Sequence, residues 1–449
     1  MADTKKVPKE KKEILQDLML SYAYNILKGE GGGQYVYCLE EDDFYIYELG
    51  VWRKISDKEL LAKVSKAIVK VTALPLTQRK QILENYKLIS FKKLDEFNRT
   101  PLLNLQNYMI DPIGNNVLKH EDKYYSTTQL PYKYDAQAKC ELWLKTLNEI
   151  FDNDQKRILL LQEFFGYCLT PDIKHKKALL LLGESDTGKS TILFTLRDLV
   201  GSKNCSSVPL KYLSNPQYTP MMVNKLVNID ADVAKDAQNY EAEFKIITTG
   251  EPIACNQKFI ETFEFTPKCK IILAANIFPK ISDHSSAFYK RLVLIPCDRI
   301  FEEGEKNRLL NIQLQEELPG ILNWSIQGLM RLNKRGMFEH HEFMKEAVQE
   351  LEDDNNPVNG FFRDHVEIDV SDGVYIEKAE LFRKYREWSG DKEEYKLSNT
   401  IFARCVYKKY YKLTPKNARL NDGKRAWIWR NIKYVPFKSE NQPDKGWQE

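Results

Sequence analysis

Eight consecutive residues carry the strongest chemical signal in this 449-residue chain: Gly183-Glu184-Ser185-Asp186-Thr187-Gly188-Lys189-Ser190. They fit the spacing G-x-x-x-x-G-K-[ST] of a phosphate-binding loop. Glycines let the backbone turn tightly, so that its N–H groups can surround phosphate oxygens. Lys189 supplies charge for the β- and γ-phosphates, and the Ser190 hydroxyl is a ligand for Mg²⁺. The apolar run Ala178–Leu182 leads in, and a helical stretch leads out through Thr191 towards residue 200. A helix N-terminus adds partial positive charge where an anion would sit. The expected ligands are therefore ATP and Mg²⁺, held by 183–191.

Hydrolysis needs acids beside such a loop. Leu226-Val227-Asn228-Ile229-Asp230-Ala231-Asp232 reads as an apolar strand ending in two carboxylates. One can hold the metal, and the other can orient or deprotonate water. The strand period of two places Asp230 and Asp232 on one side, at the end of a neighbouring strand. A further buried strand ends at Asn276, whose amide suits a γ-phosphate or the attacking water. Arg291 stands just before the next strand and could neutralise transition-state charge. The catalytic set expected is Lys189, Asp230, Asp232, Asn276 and Arg291, with Ser190, Asp230 and Asp232 around the metal.

The elements that must position these residues follow from periodicity. Residues 1–12 are Lys- and Glu-rich and read as a disordered tail, and 13–28 as a helix ended by the glycine run 29–33, a linker. Strands near 35–38, 44–47 and 51–52 and helices near 56–72 and 77–86 make a small α+β domain spanning 13–125. Residues 126–175 read as a helical linker. Short apolar strands alternating with helices over 176–355 read as an α/β sheet with a helical part. Asp353-Asp354-Asn355-Asn356-Pro357-Val358-Asn359-Gly360 is a linker signal, and 356–449 forms a last domain.

That last domain shows helical spacing over 376–388 and 397–411, then a hairpin signal at Asn421-Asp422-Gly423. Helices followed by a hairpin suggest a winged helix-turn-helix. Between Tyr395 and Lys438 twelve lysines and arginines stand against one acid, Asp422. Such a patch, interleaved with Tyr and Trp, is an electrostatic footprint for nucleic acid, with Lys408, Lys409, Lys424 and Arg425 as contacts. The overall net charge of +3 hides this unevenness.

Taken in order, these motifs resemble the superfamily 3 helicases, above all the phage/plasmid and poxvirus-type primase-helicases. The resemblance adds Lys245, Gly250-Glu251-Pro252, Lys258-Phe259, Phe265-Thr266-Pro267-Lys268, Ala287-Phe288 and Ile295-Pro296 to the loop and acids, and covers roughly 100–440. It implies an AAA+-like P-loop core, a hexameric ring with ATP between subunits, Asn276 as sensor, and Arg291 acting across the interface. Lys258 and Phe259 would lie on a central-channel hairpin that grips single-stranded DNA, and translocation would run 3′→5′. Asp230 stands where relatives often carry a small residue, the acid aligning with Asp232. Too few residues precede the family region for a primase-polymerase domain, so no primase activity is expected. The expectation is a DNA helicase of phage, plasmid or viral replication, acting on single-stranded or forked DNA with a separate primase or polymerase. The rivals are an origin-binding initiator and a non-enzymatic scaffold.

Composition bounds the setting. Charged residues are 29% and hydrophobic ones 43%, a globular balance. No stretch approaches the ~20 apolar residues of a membrane span, and no signal-peptide core is present. The expected location is the host cytoplasm. Eight scattered cysteines without a C-x-x-C pair argue for reduced, buried thiols rather than a disulfide or zinc framework.

Overall fold

The computed structural model describes residues 34–69, 76–114, 116–256, 262–281, 286–369, 371, 373–390, 397–409, 415–419 and 423–436, with Ser21 and Asn25 before them. The expected tail and glycine linker lie outside these residues, and of the expected first helix only Ser21 and Asn25, both helical, lie within them. Two compact units are present, one within 1–279 and 290–344, the other within 280–289 and 345–449.

In the first unit, strands Gln34–Cys38, Asp43–Glu48 and Val51–Ile55 form an antiparallel meander. Phe91–Lys92 adds in parallel beside Gln34–Cys38. Leu49 and Gly50 both take positive φ, 52° and 81°, the mirror-image turn that matches strand twist in two-residue hairpins. Alternation then puts Tyr35, Tyr37, Phe44 and Ile46 in one core with Leu60, Ile82, Leu83 and Tyr86 from helices Asp57–Val69 and Leu76–Ser90.

Helices Glu141–Ile150, Gln155–Cys168 and Leu318–Arg335 support the central sheet. Asp154 caps the second, accepting from the N–H groups of Lys156 and Arg157. Gly166 and Gly328 let it meet Leu318–Arg335 closely. A Cβ at either would stand 2.3 Å from a backbone oxygen, Ser325 O or Gln162 O. Glu163, only 3% exposed, is held there by Arg331 at 2.7 Å and by Arg335.

The central sheet has five parallel strands in the order Leu292–Pro296, Ala178–Leu182, Lys270–Ala275, Val227–Asp230, Cys205–Ser206. Its strands are almost continuously buried, as sheets covered on both faces require. The acid-bearing strand is therefore not the neighbour of Ala178–Leu182. The strand ending before Asn276 lies between them, a strand order that local pattern does not encode.

The second unit packs helices Pro357–His365, Lys378–Ser389 and Asn399–Lys409 around Phe361, Leu381, Tyr385, Phe402, Val406 and Trp429. Tyr375–Glu377, Arg425–Arg430 and Lys416–Arg419 form an antiparallel sheet, and Val366–Ile368 pairs with Ile432–Tyr434. The expected linker at 353–360 is instead a helix-to-helix turn. Helix Glu342–Asn355 ends there, Asn356 accepts from Val358 N–H, and Pro357 opens the next helix. Asn-Pro marks a loop and a capped helix start equally well.

Candidate functional site

The chain leaves Ala178–Leu182 towards one edge of the central sheet and returns through Lys270–Ala275 to the other edge at Leu292–Pro296. That reversal opens a crevice at the carboxyl ends of the strands. The Gly183–Ser190 motif fills it.

Two glycines are required there for different reasons. Gly183 lies against the next strand's exit, where a Cβ would stand 2.1 Å from Cys297 O, and its N–H reaches Ala275 O at 3.2 Å. Gly188 has φ 85°, and a Cβ there would meet Ile150. Between them, the Thr187 hydroxyl donates to Glu184 O at 2.9 Å. Asp186, at φ 61°, accepts Phe301 N–H at 2.9 Å and pairs with Lys306 at 3.2 Å. The loop is thus fastened on both flanks before any ligand arrives.

Lys189 opens the twelve-residue helix Lys189–Val200 and is 9% exposed. Its ammonium donates to Gly183 O at 2.6 Å, Glu184 O at 2.5 Å and the Thr187 hydroxyl at 3.2 Å. Burial pushes its pKa down, opposed by Cys297 and by the charges of Glu184, Asp232 and Asp186. Ser190 is exposed and Thr191 half-buried on the first turn. A buried ammonium, an exposed hydroxyl and a helix start converging on a glycine-framed loop fit a nucleotide's phosphates with Mg²⁺.

The two aspartates part company. The strand stops at Asp230, and Asp232 lies beyond it in a bend, so the period-two placement does not apply. Asp230 is half-buried, and its carboxylate accepts Leu210 N–H at 2.7 Å. Burial raises its pKa, while the Leu210 and Asp232 backbone N–H groups act the other way. Asp232 is exposed, and its charge acts on Lys189. Of the pair, Asp232 lies exposed just beyond the strand's carboxyl end, and Asp230 anchors the segment around Leu210.

Asn276 follows the middle strand and donates to the Ser185 hydroxyl at 3.1 Å, so its amide points at the loop. Arg291 stands at the other end. It precedes Leu292, which pairs with Ala178, the first residue of the loop strand. Five residues at ~3.3 Å each separate it from the carboxyl ends by roughly 16 Å. Its charge, after burial, depresses the pKa of Lys177.

The hairpin expected to carry Lys258 and Phe259 has paired arms, Ile253–Cys255 and Phe263–Phe265, while those two residues lie outside the described set. Its base is tied by the Thr219 hydroxyl to Ala254 O at 3.0 Å and by Asn256 N–H to Pro216 O at 3.2 Å. Lys408 and Lys409 end helix Asn399–Lys409, with side chains outside the described set; Lys424 and Arg425 are exposed. Leu210, Cys297, Phe301 and Ile150 escaped the sequence reading because backbone atoms and shape give them their roles. Lys270 did leave a signal, a lysine heading an apolar strand. Among the described residues no cluster could hold a metal through His, Cys, Asp and Glu alone, and no helix is long and apolar enough to cross a membrane.

Two families match separate parts of the chain. Residues 12–152 match the family described as D5 N terminal like, and residues 181–291 a family of unknown function, DUF5906. The second span runs from the loop strand to Arg291. The chain is also similar to "Putative helicase 121R" of Invertebrate iridescent virus 3, at 22% identity over 183 residues, which are 38% of this chain and 19% of that protein. The chain thus matches only about a fifth of its curated relative's length. Among solved structures, two of the apo NrS-1 C terminal region align at TM-scores of 0.56 and 0.54 with 14% and 15% identity, each covering 91% of this chain and 98% of the other. Those alignments establish a shared mixed α/β fold.

Proposed function

We propose that the chain is an ATP-driven DNA helicase of viral, phage or plasmid replication, with an AAA+-like P-loop core and a winged-helix C-terminal domain. One observation carries this reading: Lys189, Asn276 and Asp232 converge at the carboxyl end of the sheet, while Arg291 lies at the amino end. Phosphates bind by replacing the carbonyls that now hold Lys189. Bound Mg²⁺ would supply charge neutralisation, with Ser190 and Asp232 as its holders. Asp232 also orients water, and Asn276 reports on the γ-phosphate through its hydrogen-bond direction.

Arg291, at the amino end of its own sheet, is taken to act across an interface on a neighbouring copy's loop, in a ring taken as a hexamer. Lys258 and Phe259, which fall between the arms at 253–255 and 263–265 in the sequence, are the residues taken to meet single-stranded DNA. The viral relative's printed name and the D5-like segment agree with this assignment.

The test is ATP turnover with and without single-stranded DNA, plus strand displacement on a fork. DNA-stimulated turnover with displacement is expected. Turnover without displacement would favour an initiator, and no turnover a scaffold. Mixing Lys189→Ala with Arg291→Ala subunits should restore partial turnover if the arginine acts across the interface.

A further inference from the structure

The second unit carries a surface that the nucleotide site does not explain. In its hairpin, Arg419 lies opposite Arg425, Ala418 opposite Ala426, Asn417 opposite Trp427 and Lys416 opposite Ile428. Directly opposed residues share a face, and faces alternate along each strand. One face therefore carries Arg419, Arg425, Asn417 and Trp427, all exposed. The other carries Ala418, Ala426, the exposed Lys416 and the buried Ile428.

Trp429 continues the first face and is fully buried in the unit's core. Two residues earlier the same face has left the core, and the Trp427 indole is 54% exposed. Leaving an indole in water forgoes one of the larger burial gains available to a side chain. Placing two guanidinium residues directly across a ladder is also unfavourable. Arg419 is drawn along the turn by its Nε–H bond to Gly423 O at 3.2 Å. Both costs are recovered if the face meets a ligand that is flat, aromatic and anionic at its flanks.

We propose that this face is a stacking platform for one unpaired nucleotide. The base lies on Trp427, Arg419 and Arg425 take the flanking phosphates, and the Asn417 amide offers a donor and an acceptor to the base edge. Stacking requires a base face not already covered by a neighbour, which single strands and strand ends offer and a continuous duplex does not. The platform deepens the helicase reading, and rests on it only for the premise that DNA is the ligand.

The experiment uses the full chain without nucleotide, a single-stranded oligothymidine containing one 5-iodouracil, and a closed hairpin duplex as comparison. Near-ultraviolet irradiation is expected to crosslink the iodouracil to Trp427. Trp427→Ala should weaken single-strand binding about tenfold, and Trp427→Phe should recover most of it. Duplex binding should change much less. Arg419→Ala and Arg425→Ala should each lower the salt slope by about 0.7. Equal losses for single strand and duplex overturn the platform, as do unchanged single-strand affinity and crosslinks confined elsewhere. If the unaltered chain binds neither DNA, the helicase reading falls with it. If it binds and Trp427→Ala binds equally well, the platform alone falls.

Discussion

Lys189 and Lys270 are both buried lysines, at opposite ends of one parallel sheet. Lys189 stands at the carboxyl end, with three oxygens of its own loop around the ammonium. On the proposed reading those carbonyls are substitutable, because an arriving phosphate would offer better acceptors at the same place. Lys270 heads the middle strand at the amino end and is 1% exposed. Its ammonium donates to Thr170 O and lies 4.9 Å from the Tyr167 ring centroid. Burial lowers its pKa to about 8, although Cys168, Asp172 and Cys269 act in the opposite direction. Both lysines are desolvated, yet one borders a crevice and the other is sealed. On the proposed reading, access, more than burial, separates the working cation from the structural one.

The comparison can be broken first at Lys189. Lys189→Ala should reduce DNA-stimulated ATP turnover by about 10³-fold with the fold intact, measured by phosphate release alongside circular dichroism. Turnover that survives would place the working cation elsewhere.

Lys270 should behave in the reverse sense. Its folded pKa of about 8 lies below the ordinary 10.5, so the unfolded chain binds more protons between those values. Stability should therefore rise with pH from 8 to 10.5, relative to Lys270→Met, by up to about 3 kcal/mol. Below pH 8 the difference should be flat. Denaturant midpoints of the two proteins across that window decide it; parallel curves would mean that Lys270 is solvated after all.

The acid pair sharpens the carboxyl end. Asp232→Asn should lower turnover about 10²-fold. Asp230→Asn keeps an oxygen for Leu210 N–H and should cost tenfold or less. Equal effects in steady-state turnover would remove the distinction between an exposed acid beyond the strand and an anchoring one.

The smallest effect concerns the support of the amino end. Helix Gln155–Cys168 brings Tyr167 to Lys270, and Gly328 lets a second helix approach it. Gly328→Ala should destabilise by about 2 kcal/mol through overpacking, with nucleotide affinity nearly unchanged, read by thermal shift with and without ATP. A matching loss of affinity would show that the two ends are coupled.

Much of this was legible along the chain. Gly183, Gly188, Lys189 and Ser190 stand out by spacing, the types and order that a phosphate cradle would need. The runs Tyr35-Val36-Tyr37-Cys38 and Phe44-Tyr45-Ile46-Tyr47 betray their strands by aromatic and β-branched residues, and the basic run near Arg419 and Arg425 shows as composition. Other readings failed where two structures share one local pattern. Asp230 and Asp232 look like a strand-borne pair, but a strand's last residue is decided by its neighbour's hydrogen bonds. Asn356-Pro357 looks like a linker, but both residues are also good at opening a helix.

By itself, then, the sequence determined which residues could meet a phosphate, which segments alternate or turn, and where positive charge accumulates. Those properties depend on side-chain type and on neighbours a few positions away. Tertiary structure alone decided that the Asn276 strand lies between the loop and the acids, and that Asp232 falls past the strand's end in a bend while Asp230 takes Leu210 N–H. It also decided that Arg291 stands a strand's length from its own loop, and that Trp427 meets water while Trp429 meets the core. Strand order and core edges come from contacts between residues far apart in the chain, whose separation leaves no periodic trace.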